Sequence, residues 1–302
     1  MRIGSLIDVD RPLDAVVAQV RALADAGLAH AWAVQIFGFD ALTLLALVGR
    51  EVPGIGLGTA VVPVYPRHPQ VLAQQALTVQ AATGDRLLLG IGLSHQVVVE
   101  GMWGYRFERP ARYMAEYLAA LLPMLGGEAV RQEGEMVTAR TPGPLDVTAA
   151  APPVLVAALG PTMLRLAGRV ADGTVTWMTG LRTVRDHIVP TIAGSAADAG
   201  RPAPSVAVSL PVVVADDPAA ALQRIDDSFS LYPSLPSYAA MLEREGATRP
   251  SEISLVGDEA AVRDRLLELA DAGATDFLAA VVGDADERRR TLALLSEVAL
   301  SG

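Results

Sequence analysis

The sequence predicts an α/β fold of the (β/α)8 TIM-barrel type. Eight apolar runs alternate with helical stretches along 302 residues, and this alternation is typical of parallel sheets covered by helices. The runs are almost continuously apolar, as in Leu87 to Ile91 and Val206 to Val214, which indicates strands buried on both faces. The tetrapeptide Ala-Asp-Ala-Gly ends at Gly27, Gly200 and Gly273, each time before such a run. Glycine there can take the left-handed conformation that ends a helix.

Each element follows from its own pattern. The apolar positions of the first helix, from Leu13 to Ala24, repeat at three and four residues after a strand-like start. Related glycine junctions precede the fourth and sixth strands, at Gly84 and Gly173. An open doubly wound sheet stays possible, because apolar runs do not reveal closure. We place the strands near 2–7, 31–36, 54–62, 86–92, 152–158, 173–178, 205–214 and 275–281.

Two segments lengthen this pattern within what we expect to be one domain, 1–302. Residues 126–151 are rich in glycine, proline and charge, which favours an inserted hairpin or loop. Residues 232–250 carry prolines and a short helical piece. Because functional loops of a barrel follow the strand C-termini, this second segment could cap a site. It could equally be an extra packing element.

The composition excludes several classes of protein. The chain has a net charge of -10, 51% apolar residues, and neither cysteine nor lysine, so thiol catalysis and Schiff-base chemistry are excluded. Its four histidines lack metal-ligand spacing, and we expect no metal site. Arginines are scattered and no apolar run has signal or membrane length. We therefore expect a cytoplasmic enzyme with a small-molecule substrate, binding neither nucleic acid nor membrane.

A possible anion site follows the fifth predicted strand, at Leu159, Gly160, Pro161 and Thr162. Proline suits the first position of a helix, where its missing N–H has no partner. The N-terminus of a helix offers unpaired N–H groups and the positive end of its dipole, which can hold a phosphate without lysine. The alternative is an ordinary turn between a strand and a helix.

A second candidate follows the fourth strand. Gly90 and Gly92 lack the third glycine of a dinucleotide fingerprint, because His95 stands in its place. Such glycines could instead let a flat ligand approach the backbone. His95 could donate a hydrogen bond to a substrate or act in acid–base catalysis, or it could be a structural histidine.

Five further side chains stand at or near predicted strand ends. Trp32 is expected in the core, whereas Trp177 lies nearer a strand end and could wall an apolar pocket. The amide of Gln35 could bind the edge of a heterocycle or need only a backbone partner. Arg67 and His68, directly before a proline, are expected to brace their loop by hydrogen bonds.

In order and spacing, these motifs resemble the bacterial-luciferase-like (LLM) oxidoreductases, and more narrowly their coenzyme F420-dependent branch. The resemblance runs over nearly the whole chain and rests on six stretches, Gly58–Val61, Arg67–Pro69, Gly84–Gly92, Ala158–Pro161, Ala167–Gly173 and Leu269–Gly273. It implies a TIM barrel, usually a homodimer, that holds the deazaflavin ring at the strand C-termini. It also implies a non-proline cis peptide at Ala60-Val61 supporting the ring, with Leu93, Ser94 and His95 flanking it and Leu159 to Thr162 receiving the phosphate.

The departures from this family narrow the function. Gln35-Ile36 stands where several deazaflavin dehydrogenases carry Asp-His, and a chain without lysine has no counterpart of their substrate-phosphate pocket, so oxidation of a sugar phosphate is disfavoured. We expect hydride transfer between F420 and a small organic compound. His95 would donate or orient a proton, and Ser94 and Gln35 would polarise the ring. The alternatives are a monooxygenase using FMN and a cofactor-binding protein without its own catalysis.

Overall fold

The computed structural model describes residues 1–301. Its strands are β1 (Arg2–Leu6), β2 (His30–Ala33), β3 (Gly56–Thr59), β4 (Val62–Pro63), β5 (Leu87–Gly92), β6 (Arg131–Glu133), β7 (Thr138–Arg140), β8 (Val154–Ala157), β9 (Gly173–Trp177), β10 (Ser205–Val214), β11 (Leu255–Gly257) and β12 (Asp276–Val281). Its helices are α1 (Leu13–Asp25), α2 (Ala41–Glu51), α3 (Pro69–Thr83), α4 (Gln96–Gly101), α5 (Pro110–Leu125), α6 (Pro161–Val170), α7 (Leu181–Thr183), α8 (Val189–Asp198), α9 (Pro218–Ser228), α10 (Pro236–Glu245), α11 (Glu259–Asp271) and α12 (Ala285–Ser301).

The parallel sheet closes on itself. The strands follow the order β1, β2, β3, β5, β8, β9, β10 and β12, and β12 pairs with β1. The predicted (β/α)8 TIM barrel is therefore confirmed, and all eight predicted strands are present. The seventh has the predicted bounds, the third is divided into β3 and β4, and the others are shorter than predicted. Closure removes the open edges that a doubly wound sheet would leave.

The repeated glycine junctions behave as predicted, with one exception. Gly27, Gly200 and Gly273 have φ of 76°, 66° and 98°, and Gly84 has φ of 67°. In each case the left-handed residue ends a helix before a strand. Gly173 does not end a helix in this way, because it is the first residue of β9 and a Cβ there would overlap the Ser205 carbonyl of β10. Its glycine is needed for the close approach of two strands.

The barrel interior is filled around one indole. Trp32 is fully buried and packs with Leu155, Val175 and other inward side chains, which confirms its prediction as core. A Cβ on Gly58, in the neighbouring strand, would overlap the ring of Trp32. The absence of a side chain on one strand thus makes room for the largest side chain on the next.

The two inserted segments are both ordered. Residues 126–151 contain the antiparallel hairpin β6–β7, as one of the two predicted alternatives. Residues 232–250 form a 3-10 turn at Tyr232–Ser234, then α10, then a second 3-10 turn beginning at Pro250. The sequence did not predict β11, a three-residue strand that extends the sheet beside β10.

Candidate active site

The predicted site residues lie along one arc of the barrel rim. Gln35 follows β2, the pair Ala60-Val61 follows β3, and Ser94 and His95 follow β5. Leu159, Gly160, Pro161 and Thr162 follow β8, Trp177 ends β9, and Leu93 directly follows β5. These five strands are consecutive neighbours in the barrel. Closure therefore brings together residues from distant parts of the sequence at the C-terminal end, where barrel enzymes carry their sites.

The Ala60-Val61 peptide bond is cis, as the resemblance implied. It separates β3 from β4, which continues the same course and pairs with β5. A Cβ on Gly92 would lie 2.7 Å from Cγ2 of Val61, and one on Gly90 would overlap the Thr59 carbonyl. The hypothesis that Gly90 and Gly92 let a flat ligand approach is therefore wrong, because their space is filled by the neighbouring bulge.

The start of α6 keeps the open geometry expected of an anion site. Gly160 is the N-cap residue, no side chain caps the helix, and a Cβ on Gly160 would meet no atom within 4 Å. The first bond into the helix runs from Leu164 N to the Gly160 carbonyl, at 3.0 Å. Pro161 has no N–H, so Thr162 and Met163 supply the backbone N–H groups of this first turn.

His187, which the sequence did not single out, supports this turn. Its Nε2 lies 2.8 Å from the carbonyl oxygen of Leu159, directly before Gly160. The histidine belongs to a π-helical segment, Val184–Ile188, between α7 and α8. Such π-helical segments often occur at functional sites. Their i to i+5 hydrogen bonds leave no recognisable pattern in a sequence, so this one could not be predicted from the sequence.

In the Gln35 side-chain amide, the oxygen is hydrogen-bonded within the described part of the chain and the nitrogen is not. Its Oε1 accepts a hydrogen bond of 2.8 Å from Ala41 N at the start of α2, and Arg67 also approaches this oxygen, at 3.5 Å. The backbone-partner interpretation thus holds for Oε1. The Nε2 group is the part of the side chain that remains for a ligand.

Arg67 and His68 brace their loop, as predicted. Arg67 forms an ion pair with Asp40, and its carbonyl accepts a bond of 2.9 Å from the Tyr117 hydroxyl. His68 Nε2 contacts the Thr138 carbonyl at 3.0 Å, and its Nδ1 accepts from Gln70 N. Burial acts to raise the pKa of Asp40, but hydrogen bonds from Thr43 and the ion pair with Arg67 outweigh it and lower that pKa.

Four rings form what we call the aromatic arch, Trp177, Tyr232, Tyr238 and His95. Their centroids are 5.7 Å apart from Trp177 to Tyr232, 5.0 Å from Tyr232 to Tyr238, and 5.4 Å from Tyr238 to His95. The arch joins the ends of β5 and β9, the two strands that flank β8. The 232–250 segment therefore caps the rim, and its two tyrosines are rim residues that the sequence analysis missed.

His95 and Ser94 are polar residues of this arc whose side chains have no hydrogen-bond partner within residues 1–301. Burial lowers the pKa of His95, so its imidazole is neutral at pH 7. No hydrogen bond within residues 1–301 reaches a ring nitrogen of His95 or the Ser94 hydroxyl. Ser94 itself has a left-handed backbone, with φ of 62°. Both side chains are half-buried, and both remain available to a ligand.

Comparison with known proteins decides the family. The family model for luciferase-like monooxygenases matches residues 1–293. The chain belongs to this family. It is therefore an enzyme, and the interpretation as a cofactor-binding protein without catalysis is set aside.

One protein is similar to this chain in sequence, and two solved structures share its fold. The F420-dependent hydroxymycolic acid dehydrogenase of Mycobacterium tuberculosis is 32% identical over 226 residues, which cover 69% of this chain and 61% of that protein. The fold is shared with the coenzyme F420-dependent tetrahydromethanopterin reductase of Methanopyrus kandleri, at TM-score 0.83 and 22% identity, covering 99% and 98% of the two chains. It is also shared with the oxygenating constituent of 3,6-diketocamphane monooxygenase of Pseudomonas putida in complex with FMN, at TM-score 0.78 and 18% identity, covering 99% and 97%.

Residues 1–301 contain neither a membrane-spanning helix nor a candidate metal centre. None of their helices is both long and apolar enough to cross a membrane. No group of three or more histidine, aspartate or glutamate side chains in this part of the luciferase-like chain could hold a metal ion.

Proposed function

We propose that this enzyme transfers a hydride between coenzyme F420 and a small organic acceptor or donor. The observation that carries the proposal is the uncapped, open start of α6 at the C-terminal end of the barrel, which fits the phosphate of a deazaflavin or flavin coenzyme. The F420-dependent dehydrogenase that is 32% identical to the chain supports the choice of coenzyme. The proposal does not extend to the substrate of that dehydrogenase.

The residues present fit an anionic coenzyme in spite of the charge of the chain. With a net charge of -10 and no lysine, the protein must bind a phosphate by other means. The N–H groups at Gly160, Thr162 and Met163 and the dipole of α6 supply them. Open space around Gly160 admits the phosphate close to the backbone.

When bound, F420 supplies two-electron hydride chemistry, because a carbon replaces N5 of the flavin ring. The protein contributes binding and orientation. Ala60 and Val61 would support one face of the ring, while Leu93 and Ser94 would flank it. Trp177 would close the pocket wall, and the free Nε2 of Gln35 could bind the edge of the heterocycle.

His95 is proposed as the proton donor or orienting group for the acceptor. Its neutral imidazole keeps one N–H donor and one acceptor nitrogen at pH 7. Neither is engaged by another group of the described chain, so the N–H can be donated to an acceptor oxygen or nitrogen. A neutral N–H orients and polarises the acceptor through a hydrogen bond and needs only positioning to act, whereas transfer of the proton itself would require the imidazolium form.

A monooxygenase that takes reduced FMN is the second candidate. It is favoured by the family description and by the FMN complex that shares this fold at TM-score 0.78. FMN also carries a phosphate that the start of α6 could bind. The phosphate site therefore does not distinguish the two coenzymes.

A titration with each coenzyme, followed by fluorescence, distinguishes them. F420 is expected to bind with saturation, and FMN to bind more weakly or not at all. Tight binding of FMN with no response to F420 would contradict the proposal and favour the monooxygenase.

We also propose that the protein is a cytoplasmic homodimer. This rests on the family resemblance and is tested by sedimentation equilibrium and by fractionation of the source cells. A protein that sediments at 31.6 kDa at all concentrations would contradict the dimer.

A further inference from the structure

We propose that the aromatic arch is the acceptor subsite and that it selects flat, uncharged, conjugated carbonyl compounds. This inference rests on the proposed oxidoreductase function and specifies its substrate class. It is drawn from the geometry and chemistry of Trp177, Tyr232, Tyr238 and His95.

The arch presents ring edges and faces at fixed angles. Tyr232 meets Trp177 at an interplanar angle of 71° and Tyr238 at 74°. His95 is tilted by 55° against Tyr238. All four side chains are only half-buried, so part of each ring remains open for a further planar ring to stack on. A saturated, puckered molecule cannot make the same contact.

The arch offers no charge to a ligand. Its imidazole is neutral at pH 7 because burial lowers the pKa of His95. The carboxylate of Glu245, on the same helix as Tyr238, is already engaged by the N–H groups of Arg182 and Thr183 at 3.0 and 2.7 Å and by the Thr183 hydroxyl. A charged acceptor would lose hydration here without gaining a counter-charge.

Two polar groups of the arch can bind a carbonyl oxygen. Burial raises the pKa of Tyr238, so its phenol stays a protonated donor at neutral pH. Its hydroxyl forms no hydrogen bond with any residue of the described chain, and the same holds for the ring nitrogens of His95. An aromatic or conjugated carbonyl compound satisfies both features of the arch, a flat face and an acceptor oxygen.

The arch is held at both ends, so it forms a wall of the site. Glu245 fixes the end of α10 to the start of α7. Ser251, in the following 3-10 turn, donates from its backbone N and its hydroxyl to Asp226 at 2.9 and 2.8 Å. Tyr232 and Tyr238 lie between the two anchored residues Asp226 and Glu245 in the chain. Fixed walls discriminate ligands by shape better than mobile ones do.

The test uses three probes and calorimetric titration of the full-length protein. Coumarin is flat, neutral and conjugated; coumarin-3-carboxylate is flat but anionic; δ-valerolactone is neutral but saturated. We expect coumarin to bind roughly tenfold or more tightly than the other two. Tyr232→Ala and Tyr238→Ala should each weaken coumarin roughly three- to tenfold. Tyr238→Phe should keep most of the stacking and lose the hydroxyl contribution.

Tyr105→Ala is the matched control, because Tyr105 belongs to a separate tyrosine cluster around Tyr65 and should not affect coumarin. Circular dichroism of each variant checks the fold, and Tyr238→Phe preserves the ring packing. Equal binding of coumarin-3-carboxylate, or unchanged coumarin affinity in both alanine variants, overturns the proposal. So does displacement of coumarin by F420, which would assign the arch to the coenzyme.

A different result would contradict the proposed F420-dependent function rather than the acceptor subsite. Coumarin binding is measured without coenzyme, and F420 is titrated separately into the same preparations. Selective coumarin binding without F420 binding would contradict the F420 assignment and still support a ring-binding arch.

Discussion

The imidazole of His95 and the phenol ring of Tyr238 lie 5.4 Å apart, although one follows β5 and the other belongs to α10. The contact links His95, the proposed proton donor or orienting group, to the segment that caps the rim. It places a neutral nitrogen base beside a protonated phenol. The chemistry assigned to His95 follows from this environment.

Replacing His95 by alanine should slow hydride transfer to a conjugated carbonyl acceptor roughly a hundredfold, as expected for loss of a positioned hydrogen-bond donor to the charge that develops on the acceptor oxygen. The rate is followed by the change in F420 fluorescence, at saturating coenzyme. F420 affinity should fall by a smaller factor than the rate, because the phosphate is held at the start of α6 and His95 only flanks the ring. A variant with the wild-type rate would remove His95 from catalysis.

The lowered pKa of His95 also predicts a pH dependence of stability. Between the ordinary histidine pKa of 6.5 and the lower pKa of His95 in the folded protein, the folded state binds fewer protons there than the unfolded chain does. The stabilisation is therefore complete above the ordinary pKa and is lost as the pH falls through the folded pKa. Burial also lowers the pKa of His30, so the wild type loses stability on acidification at two histidines. The contribution of His95 is therefore obtained by comparing the wild type with a variant that lacks only this histidine.

Unfolding free energies of wild type and His95→Gln are measured by urea denaturation between pH 5 and pH 8, a range of roughly three units around the ordinary histidine pKa. The wild type should lose more stability than the variant on acidification. Parallel curves would show that His95 titrates alike in the folded and unfolded states.

The anion site predicts the effect of an added carboxylate. Thr162→Glu should weaken F420 roughly tenfold or more, because a negative charge would stand beside the phosphate. The fold should tolerate it, since a carboxylate in the first turn of a helix is favourable. Thr162→Ser is the control and should bind as the wild type does. If calorimetry gave Thr162→Glu unchanged affinity, the phosphate would lie elsewhere.

The pairing of Trp32 with Gly58 predicts a large effect from one methyl group. Gly58→Ala should destabilise the protein by about 1–3 kcal/mol, because the added Cβ overlaps the buried indole. Gly143→Ala, where a Cβ meets no atom within 4 Å, should change the stability by less than about 0.5 kcal/mol. Thermal denaturation of the two variants decides; equal melting temperatures would refute the packing argument.

The ion pair of Arg67 and Asp40 predicts a further difference in stability. Arg67→Met should cost about 1.5–3 kcal/mol, because the arginine side chain is only 13% exposed and Asp40 loses a charged partner. Arg106→Met, at a side chain 86% exposed, should cost less than about 0.5 kcal/mol. Chemical denaturation measures both; an Arg67 variant as stable as the control would contradict the bracing role.

Most of the fold was predictable, because it depends on local patterns. Apolar runs and glycine junctions indicate the eight barrel strands and their order. The short strand β11 has no such pattern, since three residues show no periodicity. Gly173 was misinterpreted because glycine at a close approach between strands looks the same in sequence as glycine at the end of a helix.

The site was predictable only where it follows a strand directly. His95 and the turn at Gly160 were found in this way. Tyr232 and Tyr238 were not, because their position depends on how a long crossover packs against the rim. The interpretation of Gly90 and Gly92 was wrong for a related reason, since only the three-dimensional structure shows that the bulge of the neighbouring strand fills their space.

A crystal structure of the protein with F420 tests the central claim most directly. We expect the phosphate within hydrogen-bond distance of the backbone N–H groups at Gly160, Thr162 or Met163, and the ring beside Ala60-Val61 and the aromatic arch. A phosphate bound by arginine side chains away from α6, or a ring outside the barrel mouth, would contradict the account.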